Sequence, residues 1–320
     1  MSAPILSVQD LRVYYYTDAG AVKAVDGVTL DVARGMKMGL VGESGCGKST
    51  TAMALMRLIK QPGRIESGKI ILDGTDLVSL SEERMRRVRL NEISLIPQGA
   101  MNSLNPVARV RKQIIDGIQD HDGRLSKAEL NDRVEEVLEA VDLRAEVADM
   151  FPHELSGGMK QRVCVAIAIS MRPKVIIADE PTSALDVVVQ RQVMETIQRL
   201  QQELGISMIL IGHDMGLMAQ SIEQLAVMYS GRLAELAEVN AIFEEPLHPY
   251  TQLLISTLPV LGAKGVFRGI PGITPSLLNP PPGCLFHPRC PQAQEICQQK
   301  VPAWQEVRPG RWVACHKYEV

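Results

Sequence analysis

The chain has 320 residues, more than one typical domain but fewer than two large ones, which predicts one main domain with an appendage. Its 34 Lys and Arg residues against 37 Asp and Glu residues leave a net charge of -3, so charge gives no support for binding to nucleic acid or to anionic lipid. The N-terminus shows no basic segment before a long apolar run, and the strongest apolar run, at 163–169, is too short to span a bilayer. We therefore expect a soluble or peripheral subunit.

Up to about residue 245, short β-branched segments alternate with helical patterns, which predicts an α/β sheet fold. Three apolar segments are predicted strands, and a glycine-rich turn, paired acids or a histidine follows each of them. They lie at 36–41, 174–178 and 207–212. Because ligands gather at the carboxyl ends of strands in open α/β sheets, these three strand ends are expected to carry the functional residues.

The stretch at 42–50, GESGCGKST, follows the first of these strands and opens a predicted helix, which is the context of a phosphate-binding P-loop. Glycines let the backbone curl around an anion, Lys48 adds a positive charge, and Ser49 offers its hydroxyl to Mg²⁺. The alternative is a glycine-rich turn without function, which Lys-Ser-Thr in register makes a poor fit. The residues expected to bind ATP and Mg²⁺ are Gly42, Ser44, Gly45, Cys46, Gly47, Lys48, Ser49 and Thr50.

Asp179 and Glu180 follow the second predicted strand. In a nucleotide site, Asp179 is expected to reach Mg²⁺ through water, and Glu180 to act on the attacking water as a general base or as the group that orients it. An apolar strand that ends in Asp-Glu is, taken alone, more often an ordinary surface turn. Together with the P-loop upstream, however, the pair indicates a nucleoside triphosphatase.

Between about 103 and 170 the pattern becomes helical, since Ser126 and Glu129 have the spacing of a capping box and apolar residues follow at helical intervals. The segment at 155–162, LSGGMKQR, would form a second anion-binding helix N-terminus. As a bare string, Ser-Gly-Gly is commonly a loop. In this order and spacing it resembles the signature motif of the ABC ATPases, to which the chain is similar from end to end. The signature residues are Ser156, Gly157 and Gly158.

The resemblance to ABC ATPases implies an α/β P-loop NTPase core, at 1–245, with a helical signature subdomain at about 103–170. It also implies that two ATPase chains close head to tail, so that each signature motif contacts the nucleotide held by the other chain. The family pattern assigns roles to single residues as well. It places Gln98 in the glutamine loop and Asp186 in the D-loop, makes His213 the switch histidine, and lets Tyr15 stack on adenine.

Three further strings, SLNP at 103–106, ADEPTSALD at 178–186 and HPYT at 248–251, resemble the ATPases of oligopeptide, dipeptide and nickel importers. That group implies two membrane permeases, a second ATPase, an external solute-binding protein, and a peripheral position on the cytoplasmic face of the inner membrane. Because its two ATPases are typically distinct, the resemblance favours a paralogue as the second ATPase, while another copy of this chain stays open. The string IPQGAM at 96–101 departs from the usual peptide-importer pattern, so oligosaccharide or metal stays open as cargo. The alternatives are a soluble ABC ATPase with a regulatory or redox role, one acting on ribosomes or DNA, and an exporter.

The chain from 246 to 320 is predicted to form a separate, loop-rich C-terminal extension, because prolines accumulate from Pro259 onward. Without a secretory signal, clustered cysteines favour metal or cofactor ligation over disulfides. The resemblance to the importer group implies a [4Fe-4S] cluster, and the residues alone leave Zn²⁺ or bare thiols open. The four expected ligands are Cys284, Cys290, Cys297 and Cys315.

Overall fold

The computed structural model describes residues 3–99, 103–121, 123–183, 185–258 and 269–319. Pro259 and the residues Ala100 and Met101 after the glutamine loop lie outside these ranges. The strands are Leu6–Thr17 (β1), Gly20–Val32 (β2), Lys37–Val41 (β3), Gly63–Leu72 (β4), Thr75–Asp76 (β5), Ile93–Ile96 (β6), Val175–Asp179 (β7), Ser207–Ile211 (β8), Gln224–Tyr229 (β9), Arg232–Glu238 (β10), Gln305–Arg308 (β11) and Arg311–Val313 (β12).

The α-helices are mostly short, and the longest has 18 residues. They are Lys48–Leu55 (α1), Glu82–Val88 (α2), Val110–Gln119 (α3), Lys127–Ala140 (α4), Gly157–Ile169 (α5), Val187–Leu204 (α6), Met215–Ser221 (α7), Val239–Glu244 (α8), Pro249–Ser256 (α9) and Ile296–Gln299 (α10). Within the described ranges, no helix has both the length and the apolar character that crossing a bilayer requires.

The chain divides into two compact units, each made of several segments. The first unit comprises Met1–Ile5, Val32–Met36 and Leu77–Leu210, and the second comprises Leu6–Asp31, Lys37–Asp76 and Ile211–Val320. The first unit therefore lies entirely before the predicted boundary at 245/246, and the second combines residues from both sides of it. That boundary remains a prediction.

In the first unit, β6 and β7 are parallel neighbours, and β7 is buried along its whole length. Such burial on both faces explains why the sequence at 175–179 is almost entirely apolar. Helices α3, α4 and α5 fall within the stretch that the sequence predicts as helical. The predicted capping box at the start of α4 is present, because the Ser126 hydroxyl accepts from the Glu129 N–H and the Glu129 carboxylate accepts from the Ser126 N–H.

The second unit contains two sheets. One has the strand order β2-β1-β4-β5, in which β1 with β4 and β4 with β5 are antiparallel, and the other contains β11-β12-β10-β9-β3 in that order. In the latter, β3 and β9 are parallel, and the pairs β9 with β10, β10 with β12, and β12 with β11 are antiparallel. The strands of the C-terminal extension therefore continue the sheet that carries the P-loop strand β3, which places the extension and the P-loop in one compact unit.

Candidate functional site

The predicted P-loop connects β3 to α1 in the second unit. Gly47 caps α1 with φ 107°, and a Cβ atom at this position would lie 2.1 Å from the carbonyl oxygen of Ala24, so only glycine fits. The buried Lys48 Nζ donates to the carbonyl oxygens of Gly42 at 2.8 Å and Glu43 at 3.0 Å. Its positive charge is therefore held against the start of the loop.

The other predicted P-loop residues differ in their exposure. Ser44, Gly45 and Ser49 are exposed, Thr50 is half-buried and Gly42 is buried. Cys46 is buried, and burial raises the pKa of its thiol, which keeps the sulfur protonated and unreactive. The exposed groups are thus the ones accessible to a phosphate or a metal ion.

In the first unit, β7 ends at the buried Asp179, and Glu180 follows it. Glu180 has φ 45°, a left-handed conformation that is uncommon for a residue with a side chain. Gln98 Nε2 donates to Glu180 Oε2 at 3.0 Å. The Glu180 carbonyl accepts from the Ser183 N–H at 3.1 Å and from its hydroxyl at 3.0 Å. The turn after β7 therefore fixes Glu180, and the glutamine loop orients its carboxylate.

The signature residues lie at the N-terminus of α5. Ser156 caps this helix through a 3.3 Å bond from the Met159 N–H to its hydroxyl. A Cβ atom at Gly158 would lie 2.5 Å from Cγ1 of Val189 in the first turn of α6, so the two helix N-termini approach closely. Asp186 caps α6 by accepting from the N–H groups of Val188 and Val189 at 3.1 and 3.0 Å. Ala184 of the predicted D-loop lies outside the described residues.

Tyr15 lies in β1, opposite Gly63 of β4. Its ring covers this glycine, since a Cβ atom at position 63 would lie 2.6 Å from Tyr15 Cε1. The hydroxyls of the neighbouring tyrosines donate to carboxylates, Tyr14 to Asp26 and Tyr16 to Glu66, both at 2.7 Å. These contacts hold the rings of Tyr14 and Tyr16 in place on either side of Tyr15.

His213 follows β8, is exposed and belongs to the second unit, as do Tyr15 and the P-loop. The first unit contains Gln98, Asp179, Glu180, the signature residues and Asp186. The structure thus brings Gln98 into contact with Glu180, and Gly158 close to the helix that Asp186 caps. Each of these contacts lies within one unit.

Sequence reasoning missed one group of residues around the P-loop. Arg289 of the C-terminal extension forms an ion pair with Glu43, and the Tyr250 hydroxyl accepts from the Glu43 N–H. The signals were present as the HPYT string and as an arginine directly before Cys290, but a single sequence does not pair them with position 43. Arg289 lowers the pKa of the Glu43 carboxyl, which keeps this side chain ionised.

The four predicted ligand cysteines, Cys284, Cys290, Cys297 and Cys315, line one cavity of about 130 Å³, called here the four-cysteine cavity. All four are free thiols. Burial raises the pKa of Cys284 to about 11 and also raises the pKa values of Cys290 and Cys315. Across the described residues, no group of three or more His, Cys, Asp or Glu side chains is arranged to hold a metal ion.

His248, which also lines the four-cysteine cavity, gives a pH-dependent contribution to stability. Its Nδ1 accepts from the Tyr250 N–H at 3.0 Å, and complete burial lowers its pKa to about 4. Between pH 6.5 and 4 the unfolded chain therefore binds a proton at this side chain that the folded chain does not, so folding stability falls as pH falls. With the ordinary histidine pKa of about 6.5 in the unfolded chain, the free energy of unfolding is expected to fall by about 2 kcal/mol between pH 7.5 and 5.

A His248→Asn variant, whose amide oxygen can still cap α9, is expected to lack this part of the pH dependence. Urea unfolding of both proteins at pH 7.5 and 5 measures the difference, and any cavity that the smaller side chain leaves affects both pH values alike. The same loss of stability in the two proteins would show that His248 does not titrate as its burial requires.

Comparison with known proteins defines the class of this protein. A family model described as ABC transporter matches residues 25–183, and one described as Oligopeptide/dipeptide transporter, C-terminal region, matches residues 234–297. The fold agrees with a solved dimeric ATP-binding cassette, MJ0796, in a post-hydrolysis state bound to ADP and Pi, at 25% identity and a TM-score of 0.66, covering 73% of this chain and 98% of that one. The chain belongs to the ABC transporter family and is an ABC ATPase, which confirms the predicted fold class.

Several curated relatives match nearly the whole length of this chain. Dipeptide transport ATP-binding protein DppD of Caldanaerobacter subterraneus is 43% identical, with 98% of this chain and 97% of the relative covered. Oligopeptide transport ATP-binding protein AppD of Bacillus subtilis is 42% identical over 98% and 97% of the two chains. Dipeptide transport ATP-binding protein DppD of Escherichia coli is 40% identical over 98% and 96%. The predicted resemblance to this importer group is confirmed.

Proposed function

We propose that this chain is the ATP-hydrolysing subunit of an importer that takes up peptides. The observation that carries the proposal is the full-length similarity to ATP-binding proteins named for dipeptide and oligopeptide transport, which includes the C-terminal region as well as the ATPase core. This similarity favours peptide over the oligosaccharide and metal cargoes that the sequence left open. It also favours transport over a soluble regulatory or redox ATPase.

For hydrolysis, we propose that the P-loop amides and Lys48 bind the ATP phosphates, with Tyr15 stacking on adenine. Ser49 and Asp179 would hold Mg²⁺, which supplies positive charge against the developing phosphate charge. Glu180 acts on the attacking water. Its hydrogen bond from Gln98 supports this role, because an oriented carboxylate needs little reorganisation during the reaction.

The remaining motif residues act, in this proposal, on a second ATPase chain and on the γ-phosphate. The signature motif contacts the nucleotide of the second chain through Ser156, Gly157 and Gly158. These residues begin α5, whose N-terminus lies close to that of α6. His213 holds the γ-phosphate, and its exposure after β8 leaves it accessible. Asp186 connects the hydrolytic residues to the second chain.

We propose the partners that such an importer requires, which are two membrane permeases, a paralogous ATPase and an external solute-binding protein. The chain then lies on the cytoplasmic face of the cell membrane. The test is uptake of a labelled dipeptide and a labelled oligopeptide by cells whose own copy is replaced by the wild type or by Glu180→Gln. Loss of uptake of either peptide in the variant supports the proposal, and uptake of both at the wild-type rate would contradict peptide as cargo.

We also propose that the four-cysteine cavity holds a [4Fe-4S] cluster. A structural zinc ion needs its sulfur ligands at about 2.3 Å from one point, whereas a cubane cluster spreads four thiolates over four irons. Four thiols that line one cavity are the donor set that such a cluster requires. The bound cluster would supply thiolate bonds that join the loops of the extension, where Cys284 N–H already donates to the Cys297 carbonyl at 2.8 Å.

Anaerobic purification of the wild type is expected to give about four irons per chain and an absorbance shoulder near about 400 nm. Cys290→Ser should lose most of this iron, because one ligand of the cluster is removed. Cys164→Ala is the matched control, since this buried cysteine lies in α5 of the first unit, and it should retain the iron. Wild-type protein with stoichiometric zinc, or with neither metal, would exclude the cluster.

A further inference from the structure

Glu43 is the only charged residue between Gly42 and Lys48 of the P-loop, and its carboxylate is held by the C-terminal extension. Arg289 donates two parallel bonds to it, from Nη1 to Oε2 at 2.7 Å and from Nη2 to Oε1 at 2.9 Å. The side chain of Arg289 is only 3% exposed and that of Glu43 is 23% exposed. This is the bidentate, charge-assisted geometry in which an arginine pair is strongest.

The guanidinium of Arg289 is itself fixed by other groups of the second unit. Its Nε donates to the carbonyl of Pro271 at 2.8 Å, its Nη2 to that of Ile270 at 3.3 Å, and its Nη1 to the Tyr229 hydroxyl at 3.2 Å. A guanidinium anchored on both edges cannot follow Glu43 to another position without breaking several bonds. The pair therefore fixes where the Glu43 side chain lies.

The extension also holds the backbone of Glu43. The hydroxyl of Tyr250, a residue of the HPYT string in the first turn of α9, accepts from the Glu43 N–H at 2.9 Å. Tyr250 is fully buried and packs against Tyr229 and Phe286, with ring centroids 4.6 and 5.4 Å apart. In addition, the Thr274 hydroxyl donates to Glu43 Oε2 at 3.0 Å. Both the main chain and the side chain of this P-loop residue are thus bound by the extension.

These contacts bear directly on phosphate binding. Lys48, the P-loop lysine, donates to the carbonyl of Glu43, so the residue held by the extension is also one that positions Lys48. P-loops bind phosphate through backbone groups and a lysine that are already oriented before the anion arrives. An uncompensated carboxylate at position 43 would repel phosphates, and Arg289 neutralises it.

We propose that Arg289 is a positioning residue for the P-loop. It neutralises Glu43 and, together with Tyr250, holds the loop in the conformation that binds the ATP phosphates, so nucleotide affinity depends on the C-terminal extension. The proposal concerns the ATPase itself and needs neither a particular cargo nor a metal in the four-cysteine cavity.

The test is the affinity of the purified full-length chain for Mg-ADP, measured by calorimetry. Arg289→Met is expected to weaken binding about tenfold or more, because it leaves the Glu43 carboxylate uncompensated beside the phosphate site. Adding Glu43→Gln to Arg289→Met removes that negative charge and is expected to restore most of the affinity. Arg289→Lys keeps the charge but not the bidentate geometry, so its affinity for Mg-ADP should lie between those of the wild type and Arg289→Met.

The matched control is Arg311→Met. Arg311 is another nearly buried arginine of the extension, 11% exposed, and it pairs with Glu245 at 3.0 Å and with the buried Glu235 at 3.5 Å rather than with the P-loop. Arg311→Met should have a lower melting temperature than the wild type but the same affinity for Mg-ADP. If loosening of the extension were the general cause, Mg-ADP binding would weaken equally in Arg311→Met and Arg289→Met. Where Arg289→Met fails to fold, Tyr250→Phe removes only the acceptor of the Glu43 N–H and should weaken Mg-ADP binding about threefold or more. Wild-type affinity in Arg289→Met or Tyr250→Phe, or an equal loss in Arg311→Met, would overturn the proposal.

Discussion

A Glu180→Gln variant is expected to bind Mg-ATP as the wild type does but to hydrolyse it about a hundredfold more slowly or worse. Glu180 follows the buried strand β7. Its carbonyl accepts from the Ser183 hydroxyl, and its carboxylate accepts from the side-chain amide of Gln98. Glutamine has the same shape and can accept a hydrogen bond, but it cannot take a proton from water. A loss of this size is the one expected when a general base or water-orienting group is removed.

Phosphate release by the purified chain measures the rate, and nucleotide titration measures the affinity. Glu92→Gln is the matched control, because Glu92 is a carboxylate of the same unit that pairs with Lys174 at 3.1 Å near the opposite end of β7. It should leave hydrolysis unchanged. Near-normal turnover by Glu180→Gln would refute the role assigned to Glu180.

A Gly158→Val variant is expected to lose hydrolysis by about a hundredfold while it keeps its own affinity for ATP. A side chain at position 158 would begin 2.5 Å from Val189 Cγ1, so the N-termini of α5 and α6 must move apart. The signature serine on the same helix N-terminus then shifts as well. In the proposed arrangement these groups stabilise a nucleotide bound by the second chain, and the loss of such preorganised contacts costs rates of this order.

Gly123→Ala is the control for this variant, since the same subdomain has room for a Cβ atom there, with the Gln119 carbonyl oxygen 3.8 Å away. It should hydrolyse ATP at the wild-type rate. Loss of ATP binding in Gly158→Val, rather than of turnover, would mean that the whole chain is disrupted. Normal turnover would mean that the close approach to Val189 has no functional consequence.

Local chemistry made much of the ATPase core predictable. Short apolar segments predicted the strands β3, β7 and β8, and the capping-box spacing of Ser126 and Glu129 predicted the start of α4. The P-loop was visible because its glycines and lysine must stand at fixed spacing. In each case, residues close in the sequence make the contacts that define the element.

The contacts of the extension were not predictable, because they join distant residues. Arg289 and Glu43 are 246 positions apart, and β12 pairs with β10 through Val313 opposite Glu235, 78 positions earlier. The prolines indicated a loop-rich extension, and no local signal showed that it continues a sheet and contacts the P-loop within one compact unit. The cysteine spacing indicated metal ligation, but it did not show that all four cysteines line one cavity.

The proteins that bind this ATPase in the cell test its assignment to a membrane importer most directly. The measurement is to tag the chain at its native locus, isolate it from mildly solubilised membranes, and identify the proteins that co-purify. We predict recovery of two membrane permeases and a paralogous ABC ATPase. A chain recovered free, or with ribosomes or DNA, would contradict the transport assignment and leave only the ATPase.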